Sequence, residues 1–273
     1  MPNLGLSATW GAEQWANYVL DHLSTESVLL RAGARVVPVA GRIAHIPRVL
    51  TDGSASWTPE GEEIPSDAPT GDTIDLTPKK LANLVGLSRE SIEDAPIDEL
   101  DGVGRSLTRS VAAAIDSRAF GTAVATATEP AGLRSYAILA QTGGVTIDNI
   151  IRAVGTVEAV GAVANAIFLA PADLTTLRLV KEATGSNKPV LQPDLQAGGA
   201  ERIAGATVFS TPDLPAGVAL VGDSSQIVVG LRRDVAVEFS SEAKFTSDSV
   251  VARVTCRTDW AFNDIRGFVA IGA

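Results

Sequence analysis

The sequence predicts an α+β fold, and three features carry that prediction. A strand-like stretch on each side of a long acidic segment, residues 54–76, indicates a two-stranded ribbon with a loose tip. Apolar residues that recur every three or four positions indicate one long helix that ends near residue 120. Strict alternation of apolar and polar residues near the C-terminus indicates an antiparallel hairpin.

The chain begins with a short amphipathic segment, residues 10–30, in which four apolar residues share one helical face. These residues are Trp15, Val19, Leu23 and Val28. The next stretch, 35–50, alternates as an edge strand with a proline in it. Beyond the acidic segment, residues 72–92 return as a strand, so that the two arms together predict one long ribbon.

The long helix follows, with Asp94 as its predicted N-cap and Pro96 in its first turn. Its apolar stripe consists of Ile97, Leu100, Val103, Leu107, Val111, Ile115 and Ala119. Arg105, Arg109 and Arg118 lie away from this stripe. For Arg105 and Arg109 the usual interpretation is a solvated face, and the sharper alternative is contact with packaged nucleic acid.

A second region, 145–232, reads as an α/β block. Its predicted helices are 146–161 and 171–185, the latter with Pro171 near its start and Gly185 at its end. Its predicted strands are 165–170, 204–211 and 217–223.

The last region alternates strictly over 234–262 and predicts a hairpin with a polar turn at 246–248. The alternating apolar residues are Val235, Val237, Phe239, Val250, Ala252, Val254 and Cys256.

Length, net charge and cysteine content limit the classes of function that fit this sequence. A chain of 273 residues makes one large domain or two modest ones, and a net charge of −10 opposes binding to nucleic acid or to an anionic membrane, apart from small basic patches. The single cysteine excludes an intrachain disulfide, which fits a reducing compartment. Residues 1–15 show no secretory signal, and the longest apolar run, 159–170, is too short to span a bilayer. We therefore expect a cytoplasmic protein that does not associate with a membrane.

The same sequence predicts no catalytic, cofactor-binding or metal site. Two histidines, His22 and His45, and one cysteine cannot build a zinc site of ordinary spacing, and Cys256 reads best as a small buried apolar residue. The segment VGDSSQ, 221–226, reads as a strand-ending turn rather than a serine nucleophile, because no histidine follows residue 45.

The acidic segment carries Glu60, Glu62, Glu63 and Asp67. These carboxylates are cation ligands in principle, but their spacing does not match a calcium loop, and solvated loop charges are the preferred interpretation.

An ordered series of short motifs runs from residue 57 to 121. In order they are WTPEG (57–61), PSD (65–67), PKKL (78–81), VGLS (85–88), DAP (94–96) and DSRAFG (116–121). This series, together with 211–240 and 250–262, resembles the major capsid proteins of tailed bacteriophages with the Hong Kong 97 fold.

That resemblance implies a division of the chain. It comprises an N-terminal arm (1–40), an extended loop called the E-loop (41–88), a peripheral domain with a spine helix (89–144), an α/β axial domain (145–232) and a C-terminal β hairpin that completes the peripheral domain (233–273). The E-loop tip is expected to lie on a neighbouring subunit, with Trp57 as an apolar anchor and Glu60, Glu62, Glu63 and Asp67 as further contacts. Arg105 and Arg109 are expected to face the lumen.

The resemblance further implies a structural protein, not an enzyme, that assembles through pentamers and hexamers into an icosahedral shell around double-stranded DNA. Such a protein belongs to the virion, is assembled in the host cytoplasm, and works with separate scaffolding, portal and decoration proteins. An encapsulin, which is a cellular compartment shell of the same fold, is the nearest alternative. An enzyme with an unrecognised site is the alternative from another class.

Two departures from the family pattern add expectations. Some relatives begin with a scaffolding segment that a protease removes, whereas this sequence begins almost at the arm, so scaffolding is expected to be separate or dispensable. Some relatives crosslink an E-loop lysine to an asparagine. No lysine lies between Leu50 and Leu76, so we expect no covalent crosslink even though Asn263 is present near the C-terminus.

Overall fold

The computed structural model describes residues 23, 25–64, 66–88, 97–183, 188, 190–191, 201–244 and 249–272. Several predicted features lie outside these residues: Trp15, Val19, Asp94, Pro96, Gly185 and the turn at 246–248. The described helices are α1 (Val28–Arg31), α2 (Ile97–Ala119), α3 (Ile147–Ala159) and α4 (Pro171–Leu179).

A four-stranded sheet holds the predicted C-terminal hairpin. Its strands are β1 (Arg35–Val39), β4 (Lys79–Ser88), β10 (Ile227–Lys244) and β11 (Ser249–Phe262), in the order β1-β10-β11-β4. Strand β11 pairs antiparallel with both β10 and β4, and β1 is parallel to β10. Ala252, Val254 and Cys256 are buried on one face as their alternation predicts, and Val250 is half-buried.

A separate two-stranded ribbon contains only β2 (Ala44–Thr51) and β3 (Thr70–Leu76). The long ribbon predicted over 41–88 is therefore shorter, because β4 has joined the four-stranded sheet. Pro78 has no N–H to continue a ladder, and the N–H of Thr77 donates instead to Asp259 Oδ2 at 2.7 Å, so pairing changes partner at this point.

A six-stranded sheet forms the second layer of the fold. Its order is β5-β12-β9-β6-β8-β7, with β5 at Leu139–Gln141, β6 at Ala166–Leu169, β7 at Arg202–Ile203, β8 at Ala206–Ser210, β9 at Ala219–Gly222 and β12 at Phe268–Ile271.

This sheet departs from the predicted boundaries at both ends. The last strand, β12, was expected to belong with the hairpin of 233–273, yet it pairs with β5 and β9. Every residue of β12 is buried, as is typical of an interior strand with two covered faces. Residues 227–232, predicted as part of the α/β block, lie instead in β10 of the four-stranded sheet.

The predicted helices of the second region are confirmed, with one difference. Thr146 caps α3 by accepting a hydrogen bond from the Asn149 N–H, and α3 buries Ile150 and Val157 against the six-stranded sheet. Helix α4 begins at Pro171 as predicted but ends at Leu179, before the predicted Gly185. The backbone of Val180 is extended, and the N–H of Val190 donates to Val180 O at 2.9 Å.

The main core lies between α2 and the two larger sheets. The stripe predicted for α2 is buried at Leu107, Val111, Ile115 and Ala119. The next residue, Phe120, lies 5.2 Å from the ring of Phe168 on β6, measured between ring centroids. The long helix thus connects the two sheets through one contiguous apolar cluster.

Candidate functional site

The loop between β2 and β3, residues 52–69, projects its acidic side chains into solvent. The N–H of Glu62 donates to Pro59 O at 3.3 Å and closes a turn, in which Gly61 has a φ of +87° that favours glycine. Glu60, Glu62 and Glu63 are all exposed around this turn. We call residues 52–69 the acidic loop.

Asp67 closes the neck of the acidic loop. Its Oδ2 accepts hydrogen bonds from Ser54 Oγ at 2.7 Å and from the Ser54 N–H at 2.9 Å, and these bonds lower the pKa of the Asp67 carboxyl. The structure therefore places this predicted contact residue in a bond within its own chain, apart from the three glutamates at the tip.

Trp57 is fully exposed, at 104% of its reference area, and Ile64 on the far side of the turn is exposed at 77%. Two large apolar side chains thus flank the three glutamates. An exposed tryptophan among charges is a typical anchor of a protein interface rather than part of a core.

The ribbon is fixed to the C-terminal turn of its own chain. The guanidinium of Arg48 donates to Asn263 O at 3.2 Å and forms a salt bridge with Asp72 at 3.1 Å, while Arg266 donates to Leu50 O at 3.4 Å. Asn263 also donates from Nδ2 to Gln226 Oε1 at 3.0 Å. The ribbon is therefore tied to its own chain as far as Leu50, close to the start of the acidic loop.

Asp259 lies where the ribbon meets the four-stranded sheet. Its carboxylate is buried and accepts from the N–H groups of Thr77, at 2.7 Å, and Trp260, at 2.9 Å. Burial raises the pKa of Asp259 above the ordinary value of an aspartate, although these bonds and the charge of Lys79 act in the opposite direction.

The raised pKa of Asp259 makes a testable prediction about pH. The folded chain binds this proton more readily than the unfolded chain, so the stability contributed by Asp259 falls as the pH rises through the ordinary aspartate range toward the folded pKa. The Asp259→Asn variant is neutral at every pH. Urea unfolding between about pH 4 and 7 should show wild type gaining stability relative to Asp259→Asn as the pH is lowered.

Asp264 supplies a control of opposite sign. Its hydrogen bonds with the Arg266 side chain lower its pKa, so wild type should lose stability relative to Asp264→Asn as the pH is lowered below about 4, and the urea series for this pair extends into that range. If the two variants responded to pH in the same direction, the assignment for Asp259 would be wrong.

Asp116 lies on α2 and binds the segment of the chain that precedes β1. Its carboxylate accepts from Ser27 Oγ at 2.7 Å and from the N–H groups of Val28 at 2.7 Å and Leu29 at 3.2 Å, the first turn of α1. Burial raises the pKa of Asp116, although its three donors oppose that rise. The sequence signal for this residue was an acid beside Ile115 on an otherwise apolar helix face.

Arg105 and Arg109 both lie exposed on α2, on the side away from the buried stripe. This agrees with their predicted position on the helix.

The structure gives the remaining reactive residues ordinary structural roles. Ser224 is buried and donates from Oγ to Ala32 O at 2.6 Å, and Asp223 caps the turn that follows β9, as predicted for VGDSSQ. Cys256 is buried, and His45 is exposed and bonded to Asp75. Within the described ranges, no group of three or more His, Cys, Asp or Glu side chains is arranged to hold a metal ion.

A cavity of about 660 Å³ at the base of the ribbon was not foreseen from the sequence. Among the described residues, its walls carry five cationic side chains: Arg42, Lys79, Lys80, Arg232 and Arg257. We call it the basic cleft. No sequence pattern reveals it, because its members lie on β4, β10, β11 and the turn before β2, more than 200 residues apart at the extremes.

No helix in the described part of the chain has the length and apolarity needed to cross a bilayer.

Solved structures from phages and from a GTA capsid share this architecture. A protein of Microbacterium phage Oxtober96 is 20% identical, with 90% of each chain covered and a TM-score of 0.70. The capsid of a native GTA particle is 19% identical over 89% of each chain with a TM-score of 0.69, and a protein of Mycobacterium phage Bobi is 21% identical over 90% of each chain with a TM-score of 0.70. No curated protein matches the chain.

The family model agrees with the structural likeness. The model of the phage capsid family matches residues 12–272, which is nearly the whole chain. The fold is the Hong Kong 97 fold and the protein is a structural, major capsid protein, and neither the encapsulin nor the enzyme alternative is favoured. The chain belongs to the phage capsid family.

Proposed function

We propose that this capsid protein closes into pentamers and hexamers that form an icosahedral shell, and that the acidic loop of each copy lies on a neighbouring copy. One observation carries the proposal: Trp57 is fully exposed beside three exposed glutamates, on a loop that projects from a ribbon tied to its own chain. A symmetric shell repeats such a contact many times, so a modest energy for each contact is sufficient.

Burial of Trp57 is the main apolar gain in this contact. Removing about 200 Å² of tryptophan surface from water stabilises an interface by about 5 kcal/mol before the costs of association are subtracted. Part of this gain is offset by ordering the loop against its neighbour. The glutamates add register and specificity, because they favour a partner surface that carries arginine or lysine.

The proposed parts of the subunit follow the sheets. We assign 1–40 to the N-terminal arm and the ribbon with its acidic loop, within 41–88, to the E-loop. The four-stranded sheet and α2 form the peripheral domain, which combines 89–144 and 233–273 with β1, β4 and the first residues of β10. The six-stranded sheet forms the axial domain, largely 145–232, and the axial domains meet where rings close.

The exposed side of α2 is proposed to face the lumen of the shell. Arg105 and Arg109 there would contact packaged double-stranded DNA through its phosphates, without base specificity. Scaffolding, portal and decoration proteins would be separate chains, and assembly would take place in the host cytoplasm. We propose no enzymatic activity, and no covalent crosslink between subunits.

The double variant Glu62→Lys plus Glu63→Lys tests the role of the acidic loop. Because these side chains are exposed and distant from the core, the monomer should unfold at the same urea concentration as wild type, within about 0.5 kcal/mol. The yield of closed particles and rings, counted by negative-stain electron microscopy beside size exclusion, should fall at least about tenfold, because a small loss in each contact is repeated many times in one particle.

A matched control makes the same change of charge elsewhere. Asp148 and Glu158 are exposed on α3, so Asp148→Lys plus Glu158→Lys alters net charge equally without touching the acidic loop. This control should keep near-wild-type yield. Unchanged assembly of the loop variant, or equal loss in both variants, would contradict the proposed contact.

A further inference from the structure

A second cavity, of about 380 Å³, lies at the margin of the main core beside the edge strand β4. Its lining comes from β4 and β11, from α2 through Ala114 and Ile115, and from the segment 128–130. The volume falls within the range of about 300–1,000 Å³ in which proteins bind small organic molecules. Its size and position make it a candidate ligand site within one subunit.

Much of this lining is apolar. Ile115 and Trp260 are almost completely buried, and Leu81 packs against the same core cluster. The indole N–H of Trp260 already donates to Ala131 O at 2.6 Å, so the Trp260 side chain contributes only apolar surface. Such a lining accommodates a hydrocarbon or aromatic group.

Thr258 adds a polar group that lacks a partner. The residue lines the cavity and is 4% exposed, and in the described part of the chain its Oγ1 is buried without a hydrogen bond. A buried hydroxyl without a partner costs stability, and folded proteins contain few of them. Because a hydroxyl can donate to an oxygen, Thr258 indicates a ligand that carries an acceptor.

A lysine lies next to Thr258 on the neighbouring strand. Lys79 on β4 pairs directly with Thr258 on β11, and such pairs point to the same face with Cβ atoms about 5 Å apart. Lys79 is half-buried, lines the cavity and lies close enough to Asp259 to lower the pKa of that carboxyl. An ammonium group has three donors, so one carboxylate nearby leaves Lys79 able to bind a second acceptor.

The acid in the lining, Glu129, is paired with an arginine. Its Oε2 lies 3.1 Å from Arg118 Nη1, and the same guanidinium donates to Pro130 O at 2.7 Å. Among the described residues of the lining, Lys79 and Lys80 are therefore an excess of positive charge over negative charge. This excess favours an anionic group at the cavity.

We propose that this cavity binds a small amphipathic carboxylate, such as a medium-chain fatty acid. The carboxylate accepts hydrogen bonds from the Thr258 hydroxyl and the Lys79 ammonium. The apolar chain lies against Leu81, Ile115 and Trp260. All of these residues belong to one chain, so binding does not depend on how subunits assemble, and a ligand that joins β4 to α2 stabilises the folded subunit.

Titration calorimetry of the full-length chain with octanoate tests the site. One octanoate should bind per chain with a Kd below about 1 mM, and the thermal unfolding temperature should rise with octanoate concentration. Acetate lacks the apolar chain and octylammonium reverses the charge, so each should bind at least about tenfold more weakly. Failure of octanoate to bind, or equal binding of octylammonium, would overturn the proposal.

Two variants test the position of the carboxylate. Lys79→Met removes the charge from a side chain of similar length, and Thr258→Val removes the hydroxyl. Each should weaken octanoate binding at least about fivefold. The unliganded Thr258→Val chain should be at least as stable as wild type, because an unpaired buried hydroxyl has been removed. A clear loss of stability in Thr258→Val would show that the hydroxyl is satisfied within the fold and would overturn its role as a ligand donor.

A third variant fills the cavity. Ala114 is exposed and lines the cavity, so Ala114→Phe should abolish octanoate binding while thermal unfolding stays cooperative. The matched control for Lys79→Met is Lys181→Met, because Lys181 is exposed and outside the lining, and it should bind octanoate as wild type does. Unchanged binding in Ala114→Phe, or an equal loss in Lys181→Met and Lys79→Met, would contradict the proposed site.

Discussion

Replacing Asp116 by alanine is expected to lower the free energy of unfolding by about 2–4 kcal/mol. The carboxylate accepts hydrogen bonds from Ser27 Oγ and from the N–H groups of Val28 and Leu29, and all of these lie at or near a buried helix start. Each donor left without a partner retains its desolvation cost. Burial of the charged carboxylate is unfavourable and raises the pKa of Asp116. Removing this cost in the alanine variant offsets only part of the lost hydrogen bonding.

Urea unfolding measures the change, and hydrogen exchange locates it. The amides of Val28 and Leu29 should lose protection more than those of the six-stranded sheet, because only the attachment of α1 to α2 is broken. Ser117→Ala is the matched control, since Ser117 is the exposed next residue of the same helix and its replacement should change stability by less than about 0.5 kcal/mol. Equal stability of Asp116→Ala and Ser117→Ala would refute the attachment role.

Replacing Gly222 by alanine is expected to destabilise the six-stranded sheet by at least about 3 kcal/mol, or to prevent folding. Gly222 ends β9 and pairs with Ala166 on one side and with Phe268 on the other. An added Cβ would lie 2.3 Å from Gly267 O and 2.6 Å from a ring carbon of Phe268. The Gly267 oxygen also accepts a hydrogen bond from the Asp223 N–H at 3.0 Å, so it cannot move away without a further loss of stability.

Gly155 offers the opposite case in the same layer. It lies exposed within α3, and a Cβ added there meets no atom within 4 Å. Gly155→Ala should therefore stabilise the chain by up to about 1 kcal/mol, through the better helix propensity of alanine. Thermal unfolding of both variants checks the pair, and a Gly222→Ala chain as stable as wild type would show that the close approach at β9 is not a constraint.

Local patterns predicted much of the fold. The stripe of α2, the helix that begins near Thr146 and the alternation around Val254 each depend on periodicity, which a single sequence displays. The exposed acidic loop and Trp57 were also predictable, because no core can be built from a segment so rich in acids and prolines. Asp94 and Pro96 stay predictions about residues outside those described.

Long-range pairing was the part that local patterns missed. The predicted ribbon was too long because no local pattern indicates that β4, which follows Pro78, pairs with β11. Strand β12 read as part of the hairpin, since its four apolar residues suit an interior strand of either sheet. In both cases the pairing of the strand depends on which sheet edge is available once the core has assembled.

The amino-acid sequence by itself determined the α+β class, the main helices, the acidic loop and, through an ordered series of motifs, the resemblance to phage capsid proteins. Only the tertiary structure decided where the charges meet. Lys80 lies beside Arg257 because β4, distant in sequence, joins the hairpin of β10 and β11 in one sheet. Asp116 becomes an anchor because α1 docks on α2. Such features depend on contacts between distant segments, which periodicity along the chain does not reveal.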